Sequence, residues 1–384
     1  MRTARVSPVS FLKLSADVAS FYGFKNTREI GRSLKRTERP RLSLGAPSFA
    51  TAAHLCAAVG AARPQEPVLA FYATPSPAHL PLSLSLRETG EFGLCVIGTK
   101  ESVGEMMILK TVSAIVSEWG APIARVRLNA LGDRDSRERY LRELFSYLRR
   151  RAPEFDASCR ETMGRSPFVA HHCKHEVCKQ LLADGPRSVN FLSEKSRAHF
   201  RAVLEQVEGL GFSYELDDLL VGDDREQHTV FAIDLKEPDA TVLGSFGGRW
   251  DDYLRRTTSR KEGSAVSASI FFRKKGAARG SFSAAPKTRT PKIFFVQLGS
   301  LAKLQGLAVL DMLWRAGVPV SQSFDSGRLS PQLNSAGGKS VSHVLIMGQR
   351  EALDGTVIVR ETKNSSQIIV ELTHLPRILK NLRV

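Results

Sequence analysis

Between Arg273 and Lys292 the chain carries seven Lys/Arg and no Asp/Glu, set among Gly, Ala, Ser and Pro. A run of that composition has little apolar surface to bury, and its like charges repel. It reads as a flexible basic linker that divides the chain. The 384 residues therefore divide into a body of residues 1–275, a linker of residues 276–291 and a tail of residues 292–384. Both flanking segments are long enough to bury a core of their own.

The body mixes helical and extended periods. Val103, Met106, Met107, Val112, Ile115, Val116 and Trp119 recur at helical spacing, so 102–119 reads as a helix. Residues 124–129 alternate as a half-buried strand does, and Asn129 and Gly132 are expected to turn the backbone after it. Residues 136–151 form a second helix, with Asp135 or Ser136 as its cap and Tyr140, Leu141, Leu144, Phe145 and Leu148 on one side. A helix follows over 193–210, entered through Ser193 and Ser196, inside a helical segment of about 133–215. Residues 229–235 and 240–246 read as adjacent strands.

The tail alternates more plainly. Strands are expected at 292–297, 318–324, 344–347, 356–359 and 367–372. Helices are expected at 300–316, through Gln332 and Leu333, and at 376–382, with Gly317 stopping the first and Pro376 opening the last. That order argues a small α/β unit with a mostly parallel sheet.

The formal net charge is +16, and residues 1–41 alone hold ten Lys/Arg against three acids. The tail holds eleven against six. Such an excess calls for an anionic partner, with nucleic acid first, or serves solubility. No apolar run approaches the ~18–20 residues of a membrane span, and residues 1–14 lack the apolar centre of a secretory signal. Five scattered cysteines form no disulfide framework, so a reducing cytoplasm is the expected location.

Two windows carry the most specific pattern. Residues 220–232 end in Thr229-Val230-Phe231-Ala232, and Gly247-Gly248-Arg249-Trp250-Asp251 follows. The pair resembles the two signature segments of histidyl-tRNA synthetases. The first normally reads Leu-Val-Arg-Gly-Leu-Asp-Tyr-Tyr-Thr-x-Thr-Val-Phe-Glu, and the second Gly-Gly-Arg-Tyr-Asp. Aligned on Thr229-Val230-Phe231, the family's catalytic arginine falls on Val221, its tyrosine pair on Arg225 and Glu226, and its closing glutamate on Ala232. The tail keeps Gly348-Gln-Arg-Glu351, then Gly355-Thr-Val-Ile-Val-Arg360, then Gln367, and resembles the anticodon-binding domain of the histidyl, glycyl, threonyl and prolyl enzymes. Glu351, Arg360 and Gln367 are accordingly expected at an RNA surface. The alternative for Glu351 and Arg360 is an ion pair that holds strand ends.

Other family segments are thinner. The stretch after the second class II motif corresponds to residues 90–98, where Glu91, Phe92 and Gly98 survive and Gly90 replaces an arginine. The third motif corresponds to residues 264–274, with Phe271 where a glycine would leave room for adenine. The histidine-binding segment corresponds to residues 44–51 without its Arg and Glu. Glu91, Gly247, Gly248, Arg249 and Asp251 are thus expected as remnants of a substrate pocket, with no catalytic residue assigned. In residues 171–178, two thiols and three imidazoles could ligate zinc, but Cys173 and Cys178 have no second ligand pair nearby. No metal is expected.

The resemblance implies mixed α/β and α+β architecture: an antiparallel-sheet class II synthetase-like core with helices, then a small α/β anticodon-binding-type domain. It implies tRNA or another structured RNA as partner, with room for a homodimer. Two readings of activity stand. One is a synthetase relative impaired in catalysis that binds RNA. The other is a divergent but active histidine–tRNA ligase using ATP and Mg. A regulatory subunit related to ATP phosphoribosyltransferase ranks third, because that family usually lacks the tail domain.

Overall fold

A computed structural model describes residues 8–34, 58–59, 67–74, 88–121, 123–157, 159–160, 168, 171, 175–222, 227–236, 242–258, 263–273, 291–322, 329, 332–333 and 341–382. The expected linker, apart from its last residue, lies outside them. So do residues 44–51, Arg225 and Glu226.

The first unit contains α1 (Pro8–Phe21), β1 (Lys25–Asn26), α2 (Thr27–Ser33), β2 (Val68–Thr74), β3 (Thr89–Ile97), α3 (Val103–Glu118), β4 (Ile123–Gly132), α4 (Arg134–Arg151), α5 (Glu176–Ala183), α6 (Glu194–Gly209), β5 (Tyr214–Leu216), β6 (Gln227–Leu235), β7 (Val242–Arg249), α7 (Asp251–Thr258) and β8 (Ala265–Arg273). Its eight strands form one sheet in the order β1-β2-β3-β8-β7-β6-β4-β5. Only the outermost pairs, β1–β2 and β4–β5, are parallel. The rest is an antiparallel core of the expected class.

Alternation along these strands sorts their side chains onto two faces. Phe71, Phe92, Leu94, Val266, Ala268, Ile270, Phe272, Phe231 and Leu128 pack with α1, α3 and α6. We call this the inner face. The outer face holds two separate apolar clusters, one around Tyr72, Cys95 and Trp250, the other around Leu131, Tyr140, Val221, Val230 and Ala232. α3 lies between the sheet and the second unit and is buried on nearly every side. That exceeds the one-sided stripe its sequence suggests.

The entry to α4 differs from expectation. β4 runs through Asn129 as far as Gly132, so Asn129 does not turn the chain. Its amide donates to Leu220 O (3.0 Å), and its oxygen accepts from Ser188 Oγ (3.0 Å). Gly132 does turn it, at φ +75°. The first extended residue afterwards is Asp133, and this is the cap, not Asp135 or Ser136: Asp133 Oδ1 accepts from Ser136 N at 2.9 Å. Asp133 Oδ2 also accepts from Ser193 Oγ at 2.5 Å, and Ser193 in turn caps α6. Burial acts to raise the Asp133 carboxyl, but the hydroxyls of Ser193 and Ser136 outweigh it and hold the group well below the carboxylate range.

The second unit comprises β9 (Ile293–Gln297), α8 (Ser300–Arg315), β10 (Val320–Gln322), β11 (His343–Met347), α9 (Gln349–Asp354), β12 (Thr356–Glu361), β13 (Gln367–Glu371) and α10 (Leu375–Asn381). Its strand order is β10-β9-β11-β12-β13. β9 is parallel to β10 and β11, whereas β12 is antiparallel to both β11 and β13. The sheet is therefore half parallel rather than mostly so. The link after β11 is a single short helix and the link after β12 a turn, and a parallel crossover needs about a dozen residues or more.

The two units share one core. Side chains of α1 and α3 belong to the same buried cluster as Leu307, Leu310 and Met347. Lys110 Nζ meets Asp311 Oδ2 at 3.2 Å, Trp314 Nε1 donates to Glu118 Oε1 at 3.0 Å, and Gln322 Nε2 donates to Tyr22 O at 2.9 Å.

Candidate functional site

Glu91 is a buried carboxylate on the outer face. β3 pairs with β2 and β8 in a register that puts Thr74 and Phe271 directly beside it. The Tyr72 hydroxyl donates to Glu91 Oε1 at 2.6 Å, and Ser269 Oγ donates to the same oxygen at 2.5 Å. Gly93 makes this possible: a Cβ there would lie 2.1 Å from the Tyr72 ring, so only glycine lets the ring lie across β3. Burial, then the Glu91 charge, pushes the Tyr72 phenol well above its ordinary value, so it stays a donor. This polar group lies on β2, β3 and β8, the strands that also carry the first outer apolar cluster.

Position 90 faces the other way. A Cβ on Gly90 would come within 2.4 Å of the Phe272 ring on the inner face. An arginine here would project away from Glu91.

Arg249 is also on the inner face and is 1% exposed. Its Nε donates to Glu105 Oε1 at 2.8 Å and its Nη2 to Glu105 Oε2 at 2.5 Å. The remaining donors meet Thr99 O at 2.9 Å and Glu101 O at 3.1 Å. One guanidinium thus closes the carbonyls before α3 and a carboxylate in its first turn. His199 adds a contact to Glu105 at 2.9 Å. Burial acts to raise Glu105, but Arg249 and His199 together hold it at about 2. Arg249 in turn is raised, because Glu105 overcomes the opposing effect of burial. Asp251 stands 3.6 Å from Arg249 and accepts from Ala265 N at 2.8 Å, and burial keeps its carboxyl raised. Gly247 admits no side chain, since a Cβ would lie 2.3 Å from Ser267 O. The structure therefore joins Arg249 and Asp251 at one inner-face brace, packs Gly247 against Ser267 and Phe231, and does not bring these residues to Glu91.

His228 lies beside this brace, its ring centroid 5.8 Å from that of His199. Burial first, then Arg249 and His199, lower it to about 4. A histidine held neutral in the fold stabilises it above the ordinary value of 6.5, and this contribution is lost as pH falls toward 4. The ring is part-exposed, so the loss should be on the order of 2 kcal/mol. His228 also has φ +51°, which asparagine tolerates. Urea unfolding of His228→Asn between pH 7 and 4 should therefore give a flatter stability profile than the parent.

Val221 belongs to the second outer cluster and is 3% exposed. Its segment is pinned to β4. Asp217 N donates to Leu128 O at 2.9 Å, Asn129 holds Leu220 O, and Arg127 Nη1 meets Asp217 Oδ2 at 2.7 Å.

In the second unit, Arg360 on β12 pairs in register with Gln367 on β13. Arg360 Nη2 donates to Ser365 Oγ at 3.2 Å, and Gln367 is exposed. Glu351 lies beyond the opposite end of β11, where its Oε2 accepts from Gly348 N at 2.8 Å and caps α9. The ion pair considered for Glu351 and Arg360 does not form. Arg360 and Gln367 share a patch, and Glu351 is apart from it.

Sequence reading missed Tyr72, Ser269, Glu105 and Cys159. The Tyr72 partnership leaves only a faint signal, a glycine at position 93 in an otherwise apolar strand.

Residues 299–382 match the family described as anticodon binding domain. Histidine–tRNA ligase of Bacillus subtilis is 25% identical over 323 residues, 83% of this chain and 76% of that protein. The Rhodospirillum rubrum ligase is 28% identical over 318 residues, 82% and 75% respectively. Apo histidyl-tRNA synthetase of S. aureus aligns over 99% of this chain and 100% of its own, at 18% identity and a TM-score of 0.48. Over about four fifths of its length the chain is similar to histidine–tRNA ligases, and residues 299–382 match the anticodon-binding domain family.

Proposed function

We propose that this chain binds tRNA or a related structured RNA and does not carry out ordinary histidine activation. The observation that carries the reading is Val221. The family places a catalytic guanidinium there, and this chain has a valine enclosed by apolar side chains. A missing preorganised cation at a transition state typically costs about 10²–10³ in rate. Arg249, on the inner face and bound to Glu105, is not placed to substitute for it.

RNA binding rests on the anticodon-binding domain and the charge of +16. Arg360 and Gln367 supply donors at the end of the β12–β13 hairpin, suited to a phosphate and an exposed base edge. A cytoplasmic homodimer belongs to the same reading. Among the described residues, no helix is long and apolar enough to cross a membrane.

One preparation tests both halves. Binding of tRNA, measured by fluorescence anisotropy against salt, should weaken steeply as salt rises. Arg360→Gln should reduce the log–log salt slope by about 1. ATP–pyrophosphate exchange with histidine should stay at background. Exchange within about tenfold of an ordinary synthetase would favour the divergent ligase, with Glu91 and its hydroxyl partners as the surviving pocket. Salt-independent or absent tRNA binding would remove the RNA role.

A further inference from the structure

We propose that Cys159, His175 and Cys178 form a structural zinc site that fastens the helical segment over the outer face of the large sheet. Their donor atoms all lie within 4.8 Å of one another. Cys159 Sγ is 3.5 Å from His175 Nδ1. With Zn–S near 2.3 Å and Zn–N near 2.0–2.1 Å, a tetrahedral ion sets its S···N edge at about 3.6 Å, so the pair already stands at the separation zinc requires. Both cysteines are buried, at 7% and 0% exposure, whereas the His175 side chain is 54% exposed, which leaves the ion an entry path.

The placement follows from the chain. His175 is the N-cap of α5, and Cys178 lies three residues on, so one helical turn presents both on one side. Cys159 arrives from the turn beyond α4, 16 residues earlier. No regular Cys-x-x-Cys spacing announces the set. Asp156 Oδ1 stands 3.8 Å from His175 Nδ1, and this carboxylate or a water completes four ligands. Two thiolates and an imidazole match zinc rather than magnesium or calcium, which take oxygen donors. As two Zn–S bonds form, the two S–H protons pass to solvent, and no oxidant is required.

Cys159 and Cys178 belong to the same apolar cluster as Tyr140, Leu181 and Val221. An ion here would link the end of α4 to the start of α5 and hold both against the segment carrying Val221.

The full-length protein, purified without chelator, should retain about one equivalent of zinc by elemental analysis. Cobalt(II) titrated into the stripped protein should give thiolate-to-metal charge-transfer bands together with intense tetrahedral visible bands. Cys159→Ser and Cys178→Ser should each abolish tight binding, while Cys173→Ser and Cys56→Ser should retain it. Stripping should lower Tm by roughly 5 °C or more, restored by zinc. The proposal is overturned if the wild-type protein retains no zinc, gives no cobalt bands and melts identically with and without chelator. The contact would then be a thiol–imidazole hydrogen bond only. Metal that is lost in Cys173→Ser but kept in Cys159→Ser would overturn the ligand set.

Discussion

Arg249→Ala is expected to destabilise the protein by about 3–5 kcal/mol, the usual cost of leaving a buried charge without its partner. Glu105 is fully buried, and both of its oxygens accept from Arg249. Removing the guanidinium leaves His199 as the remaining side-chain partner of Glu105 and strips donors from Thr99 O and Glu101 O. Arg249→Lys should recover only part of the loss, because an ammonium cannot span a carboxylate and two carbonyls as the planar fork does. The pH dependence gives an independent check. In the parent, Glu105 is held at about 2 against an ordinary 4.5, so its stabilisation is present above pH 4.5 and lost as pH falls through 2. In the variant, burial acts on Glu105 without Arg249 and raises it, so acid relieves the defect. The gap between parent and Arg249→Ala in urea unfolding should therefore narrow from pH 7 to pH 4. A loss below about 1 kcal/mol at pH 7 would mean that the brace is not structural.

The brace also shows how far the sequence could be read. Gly247-Gly248-Arg249-Trp250-Asp251 is legible as a motif, but a motif does not say which face of a strand its arginine takes. That depends on register with β8, where Arg249 sits opposite Val266, and on Glu105, which is 144 residues away. The same holds for position 90. Its glycine is plain in the sequence, yet only pairing with β8 shows that the position points at Phe272 and away from Glu91. Local features were easier. Ser193 caps its helix as read, and Gly317 at φ +68° ends α8 as read. The cap at Asp133 was misplaced by two or three residues because it is shared with Ser193, some 60 residues on. β10 begins at Val320 rather than Val318, and residues 323–324 of the expected strand lie outside the described residues. Contacts set by short-range chemistry were readable, and those set by sheet register were not.

Val221→Arg, which puts a guanidinium where the reading proposed above expects one, is expected to cost about 4 kcal/mol or more and to return no histidine-dependent exchange. Val221 shares a buried cluster with Leu131, Tyr140, Leu220, Val230 and Ala232, and the segment before it is held to β4 through Asn129 and Arg127. A guanidinium there would add several heavy atoms to a packed cluster, worth about 1–3 kcal/mol of strain. It would also bury a charge among aliphatic groups, which adds several kcal/mol more unless the side chain escapes to water. Val221→Thr, nearly equal in volume, isolates the polar part and should cost about 1–3 kcal/mol for a buried hydroxyl. Urea unfolding of both variants beside an ATP–pyrophosphate exchange assay separates the possibilities. If Val221→Arg stays within about 1 kcal/mol of the parent and gains exchange, the position opens onto a working pocket and valine is the single lesion. If it unfolds early and stays inactive, the surroundings of Val221 have been rebuilt as core, and one substitution cannot bring the chemistry back.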